Sequence, residues 1–480
     1  MKSFLKFLPI AAAVLLATSC SKDDNDNAPA TESGRDCVHT VSTTGIPFTI
    51  RVNTGRSLKK VGYAESTKEG EKGWYNITFS NEDVSNQLKM IIKEGETQIG
   101  EATLQSDKAT FSGSLTQQPS SNATLTAEIS VSGSKNSSDE SLAALLATCA
   151  HTFSGTFTYG AAEVDLTDQT SYLAITLPSD ETTVNVNGNE CALKDGKVWV
   201  AFNSSEKVHS ARLSLFNKQA DPGTIYTVTR GASTFNGNAE FSVSPSKKVK
   251  FSPGNLLYQA SSKKWEFAAR QWDYVGYADG NTTAENRANN VAYIDLFGWG
   301  TGDNPTLASN APADYATFSN WGDKIKDGNE WQTLTADEWY YLIHSRENAS
   351  EKYGVAEVAG VQGLILLPDG WKLPEGLSFK SGLTAFDVRG QEYYKTINNY
   401  SAEEWRKMES AGAVFLPAAG YRLGTSVDVV GDYGWYWTSS FEIFDDAVAR
   451  KLYFGSFMAD ATYGCGRFCG CSVRLVRAAQ

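Results

Sequence analysis

Side chains able to do chemistry are scarce in this chain, and the densest group lies near its end. Cys465-Gly466-Arg467-Phe468-Cys469-Gly470-Cys471 places three thiols close together. Thiolates at short spacing can hold zinc, but a structural zinc takes four ligands and no fourth donor lies nearby. In an exported chain such thiols oxidise. A disulfide from Cys465 to Cys469 or to Cys471, bracing a loop, is the simpler expectation. Histidine adds little, because His39, His151, His209 and His344 stand isolated in the sequence. No Ser-His-Asp order and no paired-carboxylate motif offers another chemistry. The residues therefore predict no catalytic group, no metal and no cofactor.

What the region does offer is contact surface. Phe441 to Cys471 is crowded with Phe, Tyr, Asp, Arg, Gly and Cys. Ordinary strand-like blocks frame it: Gly412–Arg422, Gly434–Ser440 and Ser472–Arg477. A rigid frame around an unusual segment suits binding better than catalysis. Aromatics and arginine give large contact area with few rotors, which is why they dominate binding hot spots. The candidate ligand-binding residues are Phe441, Phe444, Asp445, Asp446, Arg450, Tyr453, Phe457, Asp460, Tyr463, Arg467 and Phe468. Period-2 alternation turns Leu452 and Phe454 inward and Tyr453 outward. Leu416, Leu475 and Val476 are expected in the sheet core.

The elements that must position this surface fall into two compositional halves. Trp74 and Trp199 are the only tryptophans before residue 250, and the other ten lie between Trp265 and Trp437. Such a shift marks a domain boundary. The first half is rich in Ser, Thr and Val and alternates as half-buried strands do, in Pro47–Val52, Trp74–Phe79 and Ala123–Ile129. Strands also fit Val184–Asn189, Lys197–Phe202, Ala211–Phe216 and Tyr226–Thr229, while Ser141–Thr148 reads as a helix. The expected order is a β-sandwich module over 37–134, a helical linker over 135–149 and a second β-sandwich module over 150–236. In the second half Thr335-Ala336-Asp337-Glu338 and Ser401-Ala402-Glu403-Glu404 are capping boxes, each before an apolar helix face. Val361–Leu367 is a buried-strand candidate. The fold class expected is thus multidomain: two all-β sandwich modules, then an α+β domain over 242–478.

The extreme N-terminus says where the surface is displayed. Lys2 and Lys6 precede an apolar run from Leu8 to Ala17 that is too short to span a bilayer, so residues 1–19 read as a secretory signal. Ala17-Thr18-Ser19-Cys20 resembles a bacterial lipobox, which implies cleavage before Cys20 and lipid on its thiol. Acyl chains at about 0.8 kcal/mol per buried methylene hold a protein on a membrane without a spanning helix. Ser21–Asp26 is polar and acidic, so residues 20–36 are expected to form a solvated tether. It resembles the export signal of surface lipoproteins in Bacteroidetes-type bacteria, which implies an outward-facing position on the outer membrane. The net charge of −12 and the lack of a basic patch count against nucleic acid as a partner.

Several motifs of the second half are specific in combination. They are Phe251–Leu256, Leu296–Gly300, Trp331–Trp339, Leu367–Trp371 and Ser472–Arg477. Together they resemble a paralogous family of Bacteroidetes surface lipoproteins, of the Fibrobacter succinogenes major paralogous type, whose C-terminal domain is similar to the C-type lectin-like fold. The resemblance implies a long irregular ligand-binding face, with an extracellular glycan or protein as partner. Calcium-dependent sugar binding is not expected, because the Glu-Pro-Asn or Gln-Pro-Asp loop and the Trp-Asn-Asp strand of such lectins are missing. Phe441–Cys471 is also similar to the variable regions of retroelement-diversified lectin-fold proteins, whose mutable codons cannot give Glu, Gln, Lys, Met or Trp. Between Ser440 and Ser472 only Glu442, Lys451 and Met458 fall outside that set. The first half resembles fimbrillin-like domains, which implies a second role as a pilus accessory or tip adhesin with pilus subunits as partners. A third resemblance is to formylglycine-generating, sulfatase-modifying enzymes, which share the lectin-like fold. The cysteine spacing here departs from theirs.

Overall fold

The computed structural model describes residues 45–53, 58–64, 73–75, 79–133, 138–203, 207–213, 218–277, 279–282, 292–384 and 392–479. The signal, Cys20, the tether and Cys37 lie outside the described residues, so the structure does not bear on them. Within Gly45–Gln480, a single compact unit, the architecture is mostly β.

The first sheet shows why alternation is informative. In Ile46–Asn53 the side chains of Phe48, Ile50 and Val52 are buried while Thr49, Arg51 and Asn53 are exposed. The sheet order is Glu163–Asp165, Ile46–Asn53, Thr110–Leu115, Thr97–Leu104, Lys89–Glu94, Thr124–Val131, His151–Thr158, Thr167–Asp168. Its two edge strands are consecutive in sequence, separated by Leu166 alone. The sheet therefore curls until its ends meet, which removes the free edges an open sheet would leave. Met90, Ile92, Phe111, Leu125, Ile129 and Phe153 fill the interior, all fully buried. Each such side chain contributes about 1.5–3 kcal/mol of apolar burial.

The second sheet runs Gly73–Tyr75, Leu58–Ala64, Thr224–Thr229, Thr170–Thr176, Lys197–Asn203, Ser138–Asp139. It corrects the expected division at 134–150. Leu58–Ala64 comes from the first stretch of sequence yet pairs in parallel with Thr224–Thr229 of the second. Conversely, His151–Thr158 belongs to the first sheet. The β-rich reading of this half holds, but the two sheets exchange strands and are not successive modules. Alternation within a strand is local, whereas a parallel partner is chosen by contacts far away in sequence. Ala211–Leu213, expected within a strand, forms a turn.

The predicted helix is present as Leu142–Thr148, with Ser141 Oγ accepting from the Ala144 amide. It is not a free linker, since Leu145 packs with Tyr172, Ala201 and Ile225. A buried polar cluster locks its end. His151 Nε2 lies 2.9 Å from the Leu146 carbonyl and Nδ1 lies 3.2 Å from Asp168 Oδ2. The Tyr172 hydroxyl donates to Asp168 Oδ2 at 2.8 Å. Burial works against the imidazolium, but hydrogen bonds with Asp168 and with Cys149 Sγ, 3.4 Å from Nε2, together with the charge of Asp168, outweigh it, and the His151 pKa is pushed up to about 10.

Beyond residue 236 short sheets mix with helices. Both capping boxes are formed: Thr335 with Glu338 at the start of Ala336–Tyr340, and Ser401 with Glu404 at the start of Ala402–Ser410. The buried strand Val361–Leu366 sits between Tyr353–Val358 and Val414–Pro417. Lys248–Phe251 pairs with Val476–Ala478, which ties the chain's end to the start of this part. A three-stranded sheet, Gly434–Phe441, Val448–Phe454 and Ala459–Gly466, carries core on both faces. Tyr436, Leu452, Phe454 and Ala461 pack on Trp339 and Leu342, and Trp437 and Ala449 pack on Phe297, Trp321 and Cys471. Leu452, Phe454, Leu416, Leu475 and Val476 are all fully buried, as alternation requires.

Candidate functional site

The second of these faces is only half covered by core. In Gly434–Phe441 the odd residues point to it, so Trp435 emerges beyond the buried Trp437. Trp435 stands opposite Tyr453 in the neighbouring strand, and Lys451 stands opposite Tyr463 in the next. Cross-strand neighbours on one face lie close enough for rings to touch. Tyr421 stacks on Trp435 with ring centroids 4.0 Å apart and planes 9° apart. Tyr433 stacks on Tyr453 at 5.3 Å, and Tyr463 leans on Tyr453 at 5.2 Å. Trp435 meets Tyr453 edge-on at 6.1 Å. The result is a continuous belt of five aromatic rings, part-exposed throughout, with Tyr463 46% exposed at its outer edge.

Lys451 lies beneath this belt. Its Nζ is 4.2 Å from the Trp435 ring centroid, 5.7 Å from Tyr453 and 5.8 Å from Tyr463. The ammonium donates to the Gly464 carbonyl at 3.3 Å. No carboxylate pairs with it among the described residues. Three π faces stand where an acid would ordinarily sit.

Of the residues expected from sequence, the belt brings together Tyr453 and Tyr463, with Asp460 opposite Tyr453 across the strands. Asp460 has a structural task, since its Oδ1 accepts from the amide and hydroxyl of Thr462, both at 2.7 Å. Phe457 is half-buried in the adjoining turn. Phe441, Phe444, Asp445 and Asp446 lie elsewhere, toward the tip that joins the first two strands of the sheet. There Phe444 is 98% and Ile443 82% exposed. Asp445 Oδ1 accepts from the Ala447 amide, and Arg450 Nε pairs with Glu442 at 2.9 Å.

Arg467 requires correction. It is 4% exposed, with its guanidinium 4.5 Å from the Trp299 ring centroid and 5.2 Å from that of Phe441. A side chain roofed by two rings supports the tip and presents no contact surface. Phe468 is half-buried against the same core. Tyr421, Tyr433, Trp435 and Lys451 were not among the expected residues. The odd positions of Gly434–Ser440 carried a signal, because an outward Trp435 follows from an inward Tyr436.

Cys465, Cys469 and Cys471 share one core cluster, and every cysteine among the described residues, these three with Cys149 and Cys191, is a free thiol. The expected disulfide from Cys465 is not formed. A hydrogen bond with Cys465, together with burial, holds the Cys469 thiol above its ordinary range, and burial does the same to Cys465. Protonated thiols are poor nucleophiles and poor metal ligands. Among the described residues no group of three His, Cys, Asp or Glu side chains could hold a metal ion. No family model, curated protein or solved structure matches this chain.

Proposed function

We propose that this chain is a lipid-anchored surface protein whose C-terminal part, lectin-like in fold, captures an external ligand on the aromatic belt without catalysis. The observation that carries the reading is the belt itself: five contiguous part-exposed rings on a sheet braced by core from both sides. Rings held by stacking lose little freedom on binding, so their contact area converts efficiently into affinity. The lipobox-like Ala17–Cys20 and the acidic Ser21–Asp26 support display on the outer membrane. Glycans and proteins both suit such a platform.

The test is capture by the full-length mature chain on a combined glycan and protein array. Trp435→Ala with Tyr453→Ala should remove capture, since hot-spot aromatics cost roughly 2 kcal/mol or more each. Phe444→Ser, at the tip, should leave capture intact. The opposite pattern would move the binding face to the tip. In parallel, Cys20→Ser should shift the chain from the membrane fraction to the soluble one; retention in the membrane would remove the lipid anchor from the reading.

A further inference from the structure

Resting on the belt as the binding face, we propose that its ligand is an acidic sugar, a glycan whose carboxylate is received by Lys451. Lys451 is only 3% exposed and carries three N–H donors, of which one finds the Gly464 carbonyl. No acid among the described residues neutralises it. The Trp435 ring that faces the ammonium also has a buried indole N–H with no acceptor. A buried ammonium with no carboxylate beside it, under a part-exposed belt of rings, points to an acid supplied from outside the chain. A carboxylate is the acceptor an ammonium favours, because both partners of the hydrogen bond are then charged.

The rings supply the rest of the selection. Tyr421 and Trp435 are parallel and stacked face to face, with Lys451 against Trp435, so the outer side of Tyr421 is the apolar surface left for the C–H face of a pyranose. A neutral sugar would use that surface and leave Lys451 as it is. An acidic one would use both. Access lies on the side of Tyr463, whose strand is the sheet edge and whose ring is half in solvent. Of the three rings around the ammonium Tyr463 is the most exposed, while Trp435 and Tyr453 are braced by Tyr421 and Tyr433.

Matched probes separate this from the general reading. Oligomers of galacturonate, glucuronate and mannuronate, each beside its methyl ester, are titrated calorimetrically against the full-length mature protein. At least one acid should bind roughly tenfold more tightly than its ester, the scale of one charge-assisted contact. Lys451→Met, which keeps the apolar stem within the cage, should erase that difference and retain ester binding. Should that variant misfold, salt decides in the wild type: the acid-over-ester ratio should fall as ionic strength rises. Equal binding of acid and ester, with both lost in Trp435→Ala, overturns the assignment to Lys451 and leaves the belt as a binding face. Binding of neither form overturns the acidic-sugar assignment alone, and binding indifferent to Trp435→Ala overturns both.

Discussion

Asp168 and His151 show how much one buried pair can hold together. The imidazole reaches back to the helix through the Leu146 carbonyl and forward to Asp168, which Tyr172 also grips. Removing one charge from such a pair leaves the other buried and unpaired, which costs about 3–5 kcal/mol. Asp168→Asn should therefore lower stability by that order, read as the shift in a urea midpoint. The sign of the pH dependence follows from the raised pKa of His151. A group that holds its proton more tightly when folded contributes fully below its unfolded value, about 6.5. The contribution fades as pH climbs toward about 10. The melting temperature of the wild type should thus decline between these limits more steeply than that of Asp168→Asn. Parallel curves for the two proteins would mean that His151 is neutral in the fold. None of this was legible in the sequence, where His151 stood as one of four isolated histidines. Asp168 and Tyr172, the two partners that lock it, lie 17 and 21 residues away, on other strands. Lys451 escaped for a similar reason: it is an ordinary surface type until three rings close over it.

The helix Ala336–Tyr340 shows what sequence does reveal about an element and what the element does for the site. Its capping box was readable because both halves of the motif are local, Thr335 and Glu338 lying within one turn. Its purpose was not. Trp339, and beyond it Leu342 and Ile343, fill the core beneath the inner face of the terminal sheet. The Ala336 amide donates to Ser440 Oγ at 3.0 Å, which fastens the helix start to the strand that carries Trp435. Thr335→Ala should cost about 1 kcal/mol of stability, the usual worth of an N-cap. If the helix props up the binding face, ligand capture should weaken as well. Unchanged affinity at lowered stability would show that the terminal sheet keeps its shape without this cap. The hairpin strands were legible in the same way, through alternation at Leu452, Tyr453 and Phe454. Arg467 broke the pattern, because it lies just past the strand Ala459–Gly466, where alternation no longer assigns a face.

At the scale of the molecule, the exchange of strands between the two N-terminal sheets decides what can fold alone. Thr224–Thr229 lies between Leu58–Ala64 and Thr170–Thr176, paired in parallel to both. A fragment beginning at Ser138 would keep only the second of these partners. It would expose a central strand rich in buried Ile225, Tyr226 and Val228 as a new edge, the arrangement most prone to aggregate. The same cut takes from His151–Thr158 its partner Thr124–Val131 and opens the closed sheet. Residues 138–480 expressed alone should therefore be insoluble, or soluble with fast amide exchange across Thr224–Thr229. Adding residues 45–133 as a separate chain should restore slow exchange at those amides, because the missing strands can be supplied in trans. A soluble 138–480 fragment with native protection there would mean that the second sheet stands on Thr170–Thr176 and Lys197–Asn203 alone. Composition marked the boundary near residue 236, where the tryptophan-poor half gives way to the tryptophan-rich one. It could not mark this interlock, since exchanged strands share the Ser, Thr and Val usage of their neighbours. The consequence reaches the binding face. Ala211, in the turn after Lys207–Val208 of a small two-stranded sheet, packs with Leu257, Ala268, Val275 and Tyr293, and Arg230, just past Thr224–Thr229, donates to the Ala269 carbonyl at 2.6 Å, so the second sheet is tied to the part that bears the belt. A ligand pulling on Trp435 and Tyr453 would then load an interlocked pair of sheets, and not a string of independent modules that could open one at a time.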